Sequence, residues 1–349
     1  METAGGAFQS FTALAERQPG RYGDKPFLTW YDDARGQRVE LSFKTFDNWV
    51  AKVANLLVDE LDAGPGDRVA AVLADHWQTA VVLAACWRAG AGVVAVDPDA
   101  GGAALAAALG GGVAAAFVGE EWAAEAAAVL AAAPGGPALV ALTADLAGRS
   151  EHDLGDARNF ARVVPAMGDR FPGAADPEGE ALRLVPGATG GAMAGGHDAT
   201  GGPGATGGPG ATGDLAAGRA ATMAGLLGEA ARVAGRTGLG DGDRLLSGLG
   251  LLTPAGAATG LLAPFGSGAG VVLASAFEPA RFWKRVADER VTVAALSPAQ
   301  AGSVLAAGPP PDDLDHSRLR AVTCPPGQVT EALRTGFPDR LGVPLLPDG

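Results

Sequence analysis

The run Gly64-Pro65-Gly66-Asp67-Arg68-Val69-Ala70-Ala71-Val72-Leu73, the stretch from His76 to Arg88, and then Gly92-Val93-Val94-Ala95-Val96-Asp97-Pro98 decide the fold. The Gly-Pro-Gly-Asp quartet is turn chemistry. The residues from Arg68 to Leu73 have the length and unbroken apolar character of a strand buried on both faces. His76 to Arg88 is too long for a strand and reads as a helix. Gly92 to Val96 is a second buried strand, stopped at Asp97-Pro98. Strand, helix and strand in so short a span make a parallel unit, because parallel neighbours need a crossover that a hairpin cannot supply.

Upstream, Phe43, Phe46, Trp49, Val50, Val53, Leu56, Leu57 and Leu61 hold the three-and-four spacing of an amphipathic helix, and Ser42 stands where a cap belongs. Downstream the alternation continues with a strand over Ala114–Val118, a helix around Glu121–Ala132 and a strand over Ala138–Leu142. The second half repeats the style. A helix is expected over Leu215–Arg236, with strands near Arg244–Ser247, Gly270–Ala274 and Val291–Ala295. Helices fit Pro279–Asp288, Pro298–Ala306 and Val329–Arg340, and short strands fit Leu319–Val322 and Val343–Leu345. The expected class is α/β, with two layered subdomains of mostly parallel sheet covered by helices.

Composition narrows the function. The chain has 349 residues, 26 Lys+Arg against 39 Asp+Glu, a net charge of -13 and 48% hydrophobic residues. That balance argues against nucleic-acid binding, which needs a basic surface, and the apolar content is that of a chain with a core. Cys86 and Cys324 are too few for a disulfide framework and wrongly spaced for zinc. With no basic, apolar leader at the start, a cytoplasmic home is expected. Between Arg244 and Glu278 lie 33 uncharged residues, long enough to span a bilayer. Pro254, Pro264 and seven glycines interrupt them, so they read as strand, loop, helix, loop and strand, with no membrane span.

Three segments are expected: a first lobe over residues 1–186, a Gly/Pro-rich low-complexity loop over 187–214, and a second lobe over 215–349. The loop holds 12 glycines and the hexad Ala-Thr-Gly-Gly-Pro-Gly, starting at Ala199 and again at Ala205. Such a repeat has no apolar burial to offset its ordering entropy, and a mobile surface loop is predicted. It matches the dinucleotide fingerprint twice, from Gly202 and from Gly208. Each match contains a proline and follows no strand, so both are accidents of composition.

The pieces from Leu41 to Pro98 resemble the opening of the adenylate-forming superfamily, which includes AMP-forming acyl-CoA synthetases, peptide-synthetase adenylation domains and luciferases. A second set is similar to later parts of that family's large N-terminal domain: Gly242-Asp243-Arg244-Leu245-Leu246, Leu261 to Phe265, Gly270 to Leu273, Phe277-Glu278-Pro279, Arg290-Val291-Thr292 and Ser297-Pro298. The resemblance covers most of residues 8–349 and implies that family's fold, ATP or AMP as ligand, and magnesium.

Its chemistry is less well matched. The family's phosphate loop is rich in Ser, Thr and Gly and ends in Pro-Lys-Gly. The counterpart is Val185 to Met193, where Gly187, Thr189 and Gly190 match. Pro186 removes a hydroxyl and an amide donor, Ala188 removes another hydroxyl, and Met193 stands in place of the lysine. Charge-assisted phosphate binding is therefore weakened. The loop Gly250-Leu251-Leu252-Thr253-Pro254 lacks the family's usual histidine or aromatic. The sequence stops at Gly349, close to where the resemblance would place the Tyr-Gly-x-Thr-Glu motif, with the C-terminal domain beyond it. Cys324, Pro325 and Gly327 fall where the family's acyl and adenine pocket wall would be, although a turn at a strand end accounts for Cys324-Pro325-Pro326-Gly327 as well.

Elsewhere, Cys86 reads as a core thiol, and Asp312-Asp313-Leu314-Asp315-His316 as a solvated turn rather than a metal cluster. His76, His152 and His197 stand without a partner at motif spacing. No catalytic residue and no metal ligand is assigned. The sequence leaves open a degenerate, non-catalytic nucleotide or acyl binder or interaction module, an acid-thiol ligase completed by a separately encoded C-terminal half, and a relic without selected activity. An apolar edge near Val343, Leu345 and Leu346, if exposed, would favour a homodimer.

Overall fold

The computed structural model describes residues 8–97, 101–132, 136–145, 147–150, 152–185, 220–325 and 329–346. The phosphate-loop residues Gly187, Thr189 and Gly190, the hexad loop, His197 and Gly327 lie outside them.

The first half runs α1 (Phe11–Tyr22), β1 (Pro26–Asp32), β2 (Gln37–Ser42), α2 (Phe43–Asn55), β3 (Arg68–Val72), α3 (Trp77–Arg88), β4 (Gly92–Val96), α4 (Gly101–Leu109), β5 (Ala115–Gly119), α5 (Ala123–Ala131), β6 (Ala138–Leu142) and β7 (Arg158–Asn159). The second runs β8 (Glu180–Val185), β9 (Ala220–Thr222), α6 (Met223–Thr237), β10 (Arg244–Ser247), a buried helical segment over 254–267, β11 (Gly270–Ala274), α7 (Phe282–Asp288), β12 (Val293–Ala295), α8 (Pro298–Ala307), β13 (Ala321–Thr323), α9 (Glu331–Gly336) and β14 (Leu345–Leu346).

Two sheets of seven strands result. One has the order β14-β13-β12-β10-β11-β1-β2 and the other β7-β6-β5-β3-β4-β8-β9. Every pairing is parallel except the edge pairs β1 with β2 and β8 with β9. The two orders are one pattern written twice. Within it the hairpins are exchanged: β1 pairs with β11 and β8 with β4. Each sheet thus draws strands from both sides of residues 187–214.

The entry to each central strand is also repeated. Gly64 and Gly240 donate their N–H groups to the carboxylates of Asp67 and Asp243, each at 2.9 Å. The carbonyls of those aspartates accept the N–H of Gly92 and Gly270, again at 2.9 Å. The glycines between, Gly66 and Gly242, have φ of +85° and +87°, a left-handed conformation that a side chain strains.

Side-chain alternation along the strands sets the layers. Val69, Ala71, Val93, Ala95, Ala115 and Phe117 of one sheet, and Leu245, Val271, Leu273, Val293 and Ala295 of the other, face a common central core. Helices α1, α2, α3, α6 and the segment 254–267 fill it. Ala70, Val72, Val94, Val96, Ala116 and Val118 face outward onto α4 and α5, and Leu246, Val272, Ala294 and Val322 onto α7, α8 and α9. The result is five alternating layers of helix and sheet.

Strands β4, β6, β10 and β11 have the expected bounds, and Ser42 caps α2 as expected, accepting the Thr45 N–H at 3.1 Å. The helix expected from Leu215 starts at Met223, because Ala220–Thr222 pairs with β8 and Thr222 is the cap. The uncharged stretch after Arg244 resolves into β10, the helical segment and β11. No helix of the described residues is long and apolar enough to cross a membrane. Val343 and Leu345 are buried beneath α9, and Val58 is the exposed large hydrophobic residue among those described.

Candidate functional site

The parallel strands of both sheets carry their loops to one rim, and ligands of such sheets bind outside the carboxyl ends of strands. Strand β8 ends at this rim at Val185, paired with Val96 of β4. Asp97, next after β4, is buried.

Facing it from the other sheet is the loop after β10. Gly248 donates its N–H to the Ala295 carbonyl at 2.8 Å, and Gln300 Nε2 donates to the Gly248 carbonyl at 2.7 Å. Gln300 also closes a capping box with Ser297 at the start of α8. Further along, the Leu251 N–H donates to Asp75 Oδ1 at 2.8 Å, which ties the loop to the end of β3 in the first sheet. Thr253 caps the helical segment, accepting the Gly256 N–H at 3.0 Å. A Cβ on Gly256 would run into the Gly250 carbonyl, so only glycine allows the helix to sit this close to the loop.

Asp75 and His76 lie just beyond the end of β3, after Leu73 and Ala74. Burial pushes the Asp75 carboxyl up to about 7, opposed by the hydrogen bond from Leu251. His76 caps α3 with Nδ1, which accepts the Gln78 N–H at 3.1 Å, and its ring packs edge-on to Trp30 at 4.1 Å. Burial pulls its pKa down to about 3, so at neutral pH the imidazole is uncharged and the cap intact. Trp30 Nε1 donates to the Asp75 carbonyl at 3.1 Å.

Two cavities meet at Asp75. The smaller, about 40 Å³, lies at the ends of β10 and β11 among Ser247, Gly248, Phe277, Arg281 and Arg285. The larger, about 260 Å³, lies at the ends of β3, β5 and β6 among Trp30, Asp75, Gln78, Glu120 and Glu121.

Of the pocket-wall residues read from the sequence, Cys324 and Pro325 follow β13 at the same rim. Cys324 is buried in the outer core with Val322, Phe337 and Leu345. Cys86 is buried in the central core, where desolvation raises its thiol pKa and keeps it protonated. Asp315 accepts the Ser317 N–H at 3.1 Å and hydroxyl at 2.6 Å, which makes that acidic segment a turn. Among the described residues no group of three or more His, Cys, Asp and Glu side chains could hold a metal ion. The sequence reading passed over Asp75, Gln78 and Glu121. The one available signal was a carboxylate, Asp75, two positions beyond the buried run Arg68–Leu73.

Comparison with known proteins agrees with this architecture. Residues 15–176 match the family model of the AMP-binding enzymes. The fold is that of the large N-terminal domain of acyl-CoA and aryl-CoA ligases. It superposes on an acyl-CoA synthetase of Brucella canis with a TM-score of 0.69 and 18% identity, over 96% of this chain and 56% of that one. For the anthranilate CoA ligase AuaEII, solved with anthranoyl-AMP, the TM-score is 0.73 at 16% identity, over 98% and 60%. For a benzoate CoA ligase of Burkholderia xenovorans it is 0.69 at 16%, over 96% and 60%. A Mycobacterium tuberculosis protein known by a family label is 55% identical over 75 residues, 22% of this chain and 31% of that one. The chain thus spans under two thirds of the length of each of these relatives.

Proposed function

We propose that this chain, an AMP-binding-type domain on the adenylate-forming N-terminal fold, binds a nucleotide or acyl-adenylate weakly and does not itself form the adenylate. The observation that carries this is the segment after β8, where Pro186, Ala188 and Met193 replace two hydroxyl positions and the cation of the family's phosphate loop. Adenylate formation moves an acyl carboxylate onto the α-phosphate of ATP and releases pyrophosphate. The charge that develops needs fixed donors and a cation to stabilise it. Gly187, Thr189 and Gly190 supply backbone amides and one hydroxyl, which suit a phosphate ester better than a departing pyrophosphate.

The scaffold around that segment supports a binding role. Strands β4, β8, β10 and β13 end at one rim, and the loop after β10 is tied at Asp75 and Gln300. The part of each CoA ligase that lies beyond the aligned portion supports a second reading, in which a separate C-terminal portion completes a ligase.

Calorimetry with AMP and with a non-hydrolysable acyl-adenylate mimic tests the binding role. The mimic is expected to bind in the micromolar to millimolar range. Met193→Lys should strengthen AMP binding by roughly tenfold, the worth of one charge-assisted hydrogen bond. Absence of binding to either probe, in both the wild type and the variant, would refute the reading.

A further inference from the structure

The two sheets wind identically, and a crevice opens where adjacent strands send their connections to opposite faces. In the sheet built on β10 this place lies between β10, which continues into the central core, and β12, which continues outward through α8. Gln300 bridges it through its bond to Gly248, and a Cβ on Gly248 would already press on Gln300 Oε1 at 2.7 Å. In the sheet built on β3 the equivalent place lies between β3 and β5, and here the crevice is open as the cavity of about 260 Å³.

Its wall has unused bonding capacity of two kinds. Gln78 is 1% exposed, and its Nε2 is buried without a hydrogen-bond partner, which leaves a donor calling for an oxygen. On Asp75, Oδ1 takes the Leu251 N–H, while Oδ2 has no hydrogen bond among the described residues. Glu121, on the 3₁₀ turn after β5, has neither hydrogen bond nor ion pair among them, although it feels the charge of Arg35, a cation of the same wall that Asp32 already holds.

The other charged groups are committed. Glu120 accepts the Ala144 N–H at 3.0 Å and the Ser150 hydroxyl at 2.5 Å, and Asp32 pairs with Arg35 at 2.9 Å. His76 is neutral and holds its cap, and His152 stands exposed at the mouth. The spare charge is therefore negative, in a wall that Trp30 shares.

We propose that this crevice is a binding site for a small primary ammonium compound that also carries an oxygen acceptor. The ammonium would pair with Asp75 and Glu121 beside Trp30, and the oxygen would take the Gln78 amide. Such a ligand satisfies both orphaned functions together. It does not depend on the phosphate-loop reading, which concerns the rim after β8. The raised Asp75 carboxyl adds a signature: binding an ammonium favours the carboxylate, so affinity rises with pH through about 7 as the proton to be displaced is lost.

Ethanolamine is the probe, titrated into the full chain and followed by tryptophan fluorescence and calorimetry. Saturable binding at or below roughly 10 mM is expected for so small a molecule. Propylamine, without the oxygen, and acetate, without the cation, should bind at least about tenfold more weakly. Asp75→Asn should weaken ethanolamine by roughly a hundredfold, and exposed Glu121→Gln, which has no bond to lose, by about tenfold. Gln78→Met should reduce ethanolamine to the level of propylamine. No saturation with ethanolamine would overturn the proposal, as would unchanged affinity in Glu121→Gln.

Discussion

The sheet built on β3 and the sheet built on β10 share strand order, exchanged hairpin and the aspartate turn that opens the central strand, yet they treat the reversal of their winding differently. One leaves the crevice open beneath an unpartnered Gln78, and the other closes it with Gln300. Topology therefore fixes where a crevice forms, and a single glutamine decides whether it is filled. The hairpin exchange differs too. Gly92, opening β4, lies so close to β8 that a Cβ would run into the Glu180 carbonyl, whereas a Cβ on Gly270, opening β11, would meet the Pro26 carbonyl at 3.3 Å.

The last contrast yields the largest expected effect. Gly92→Ala should destabilise by about 3 kcal/mol or more in urea unfolding, because backbone must move. Gly270→Ala should cost about 1 kcal/mol or less. Equal losses would mean that the two hairpins are seated alike.

Next comes the Asp75 carboxyl. It is raised from 3.8 to about 7, so between those values the folded chain keeps a proton that the unfolded chain has released. Its contribution to stability is full below the unfolded value and is lost as pH rises through about 7. His76, pulled down to about 3, works oppositely, its contribution lost as pH falls below 6.5 toward 3. Asp75→Asn removes the first trend and leaves the second, so the stability of the variant relative to wild type should rise by about 2 kcal/mol from pH 4 to 8, solvent in the cavity limiting the size. A constant difference across that range would contradict the placement of Asp75.

The glutamines should separate by less. Gln300→Ala removes a bridge and half of a capping box, at about 1–2 kcal/mol. Gln78→Met, which replaces an unpartnered amide at similar volume, should be neutral or slightly stabilising in thermal unfolding. Smallest is the turn pair. Asp243→Ala should cost a few tenths of a kcal/mol more than Asp67→Ala, since Asp243 also holds the partly exposed Arg320.

Much of this comparison was legible in the sequence where the signal is local. Buried strands such as Gly92–Val96 and Gly270–Ala274 are continuous apolar runs between turn residues, and the Ser42 cap announces α2. The hairpins were not legible. Glu180–Val185 carries Glu180 and Arg183 and becomes a strand only beside β4, while Pro26–Asp32 finds its parallel partner some 240 positions away. For the same reason Asp75 and Gln78 did not stand out: the surroundings of both, and the missing partner of Gln78 Nε2, come from the meeting of two sheets, not from neighbours in the chain. At the proposed phosphate loop the reverse holds, because the reading there rests on residue identity alone.

ATP–pyrophosphate exchange by the purified chain, measured across a panel of aliphatic and aromatic carboxylic acids, tests the central claim most directly. No acid-dependent exchange above the protein-free blank is predicted for the wild type, since the proposed reading sets Met193 at the position of the family's phosphate-loop lysine, where the leaving pyrophosphate needs a cation. Acid-dependent exchange that disappears in Thr189→Ala would contradict the account and make this chain an adenylate-forming enzyme in its own right.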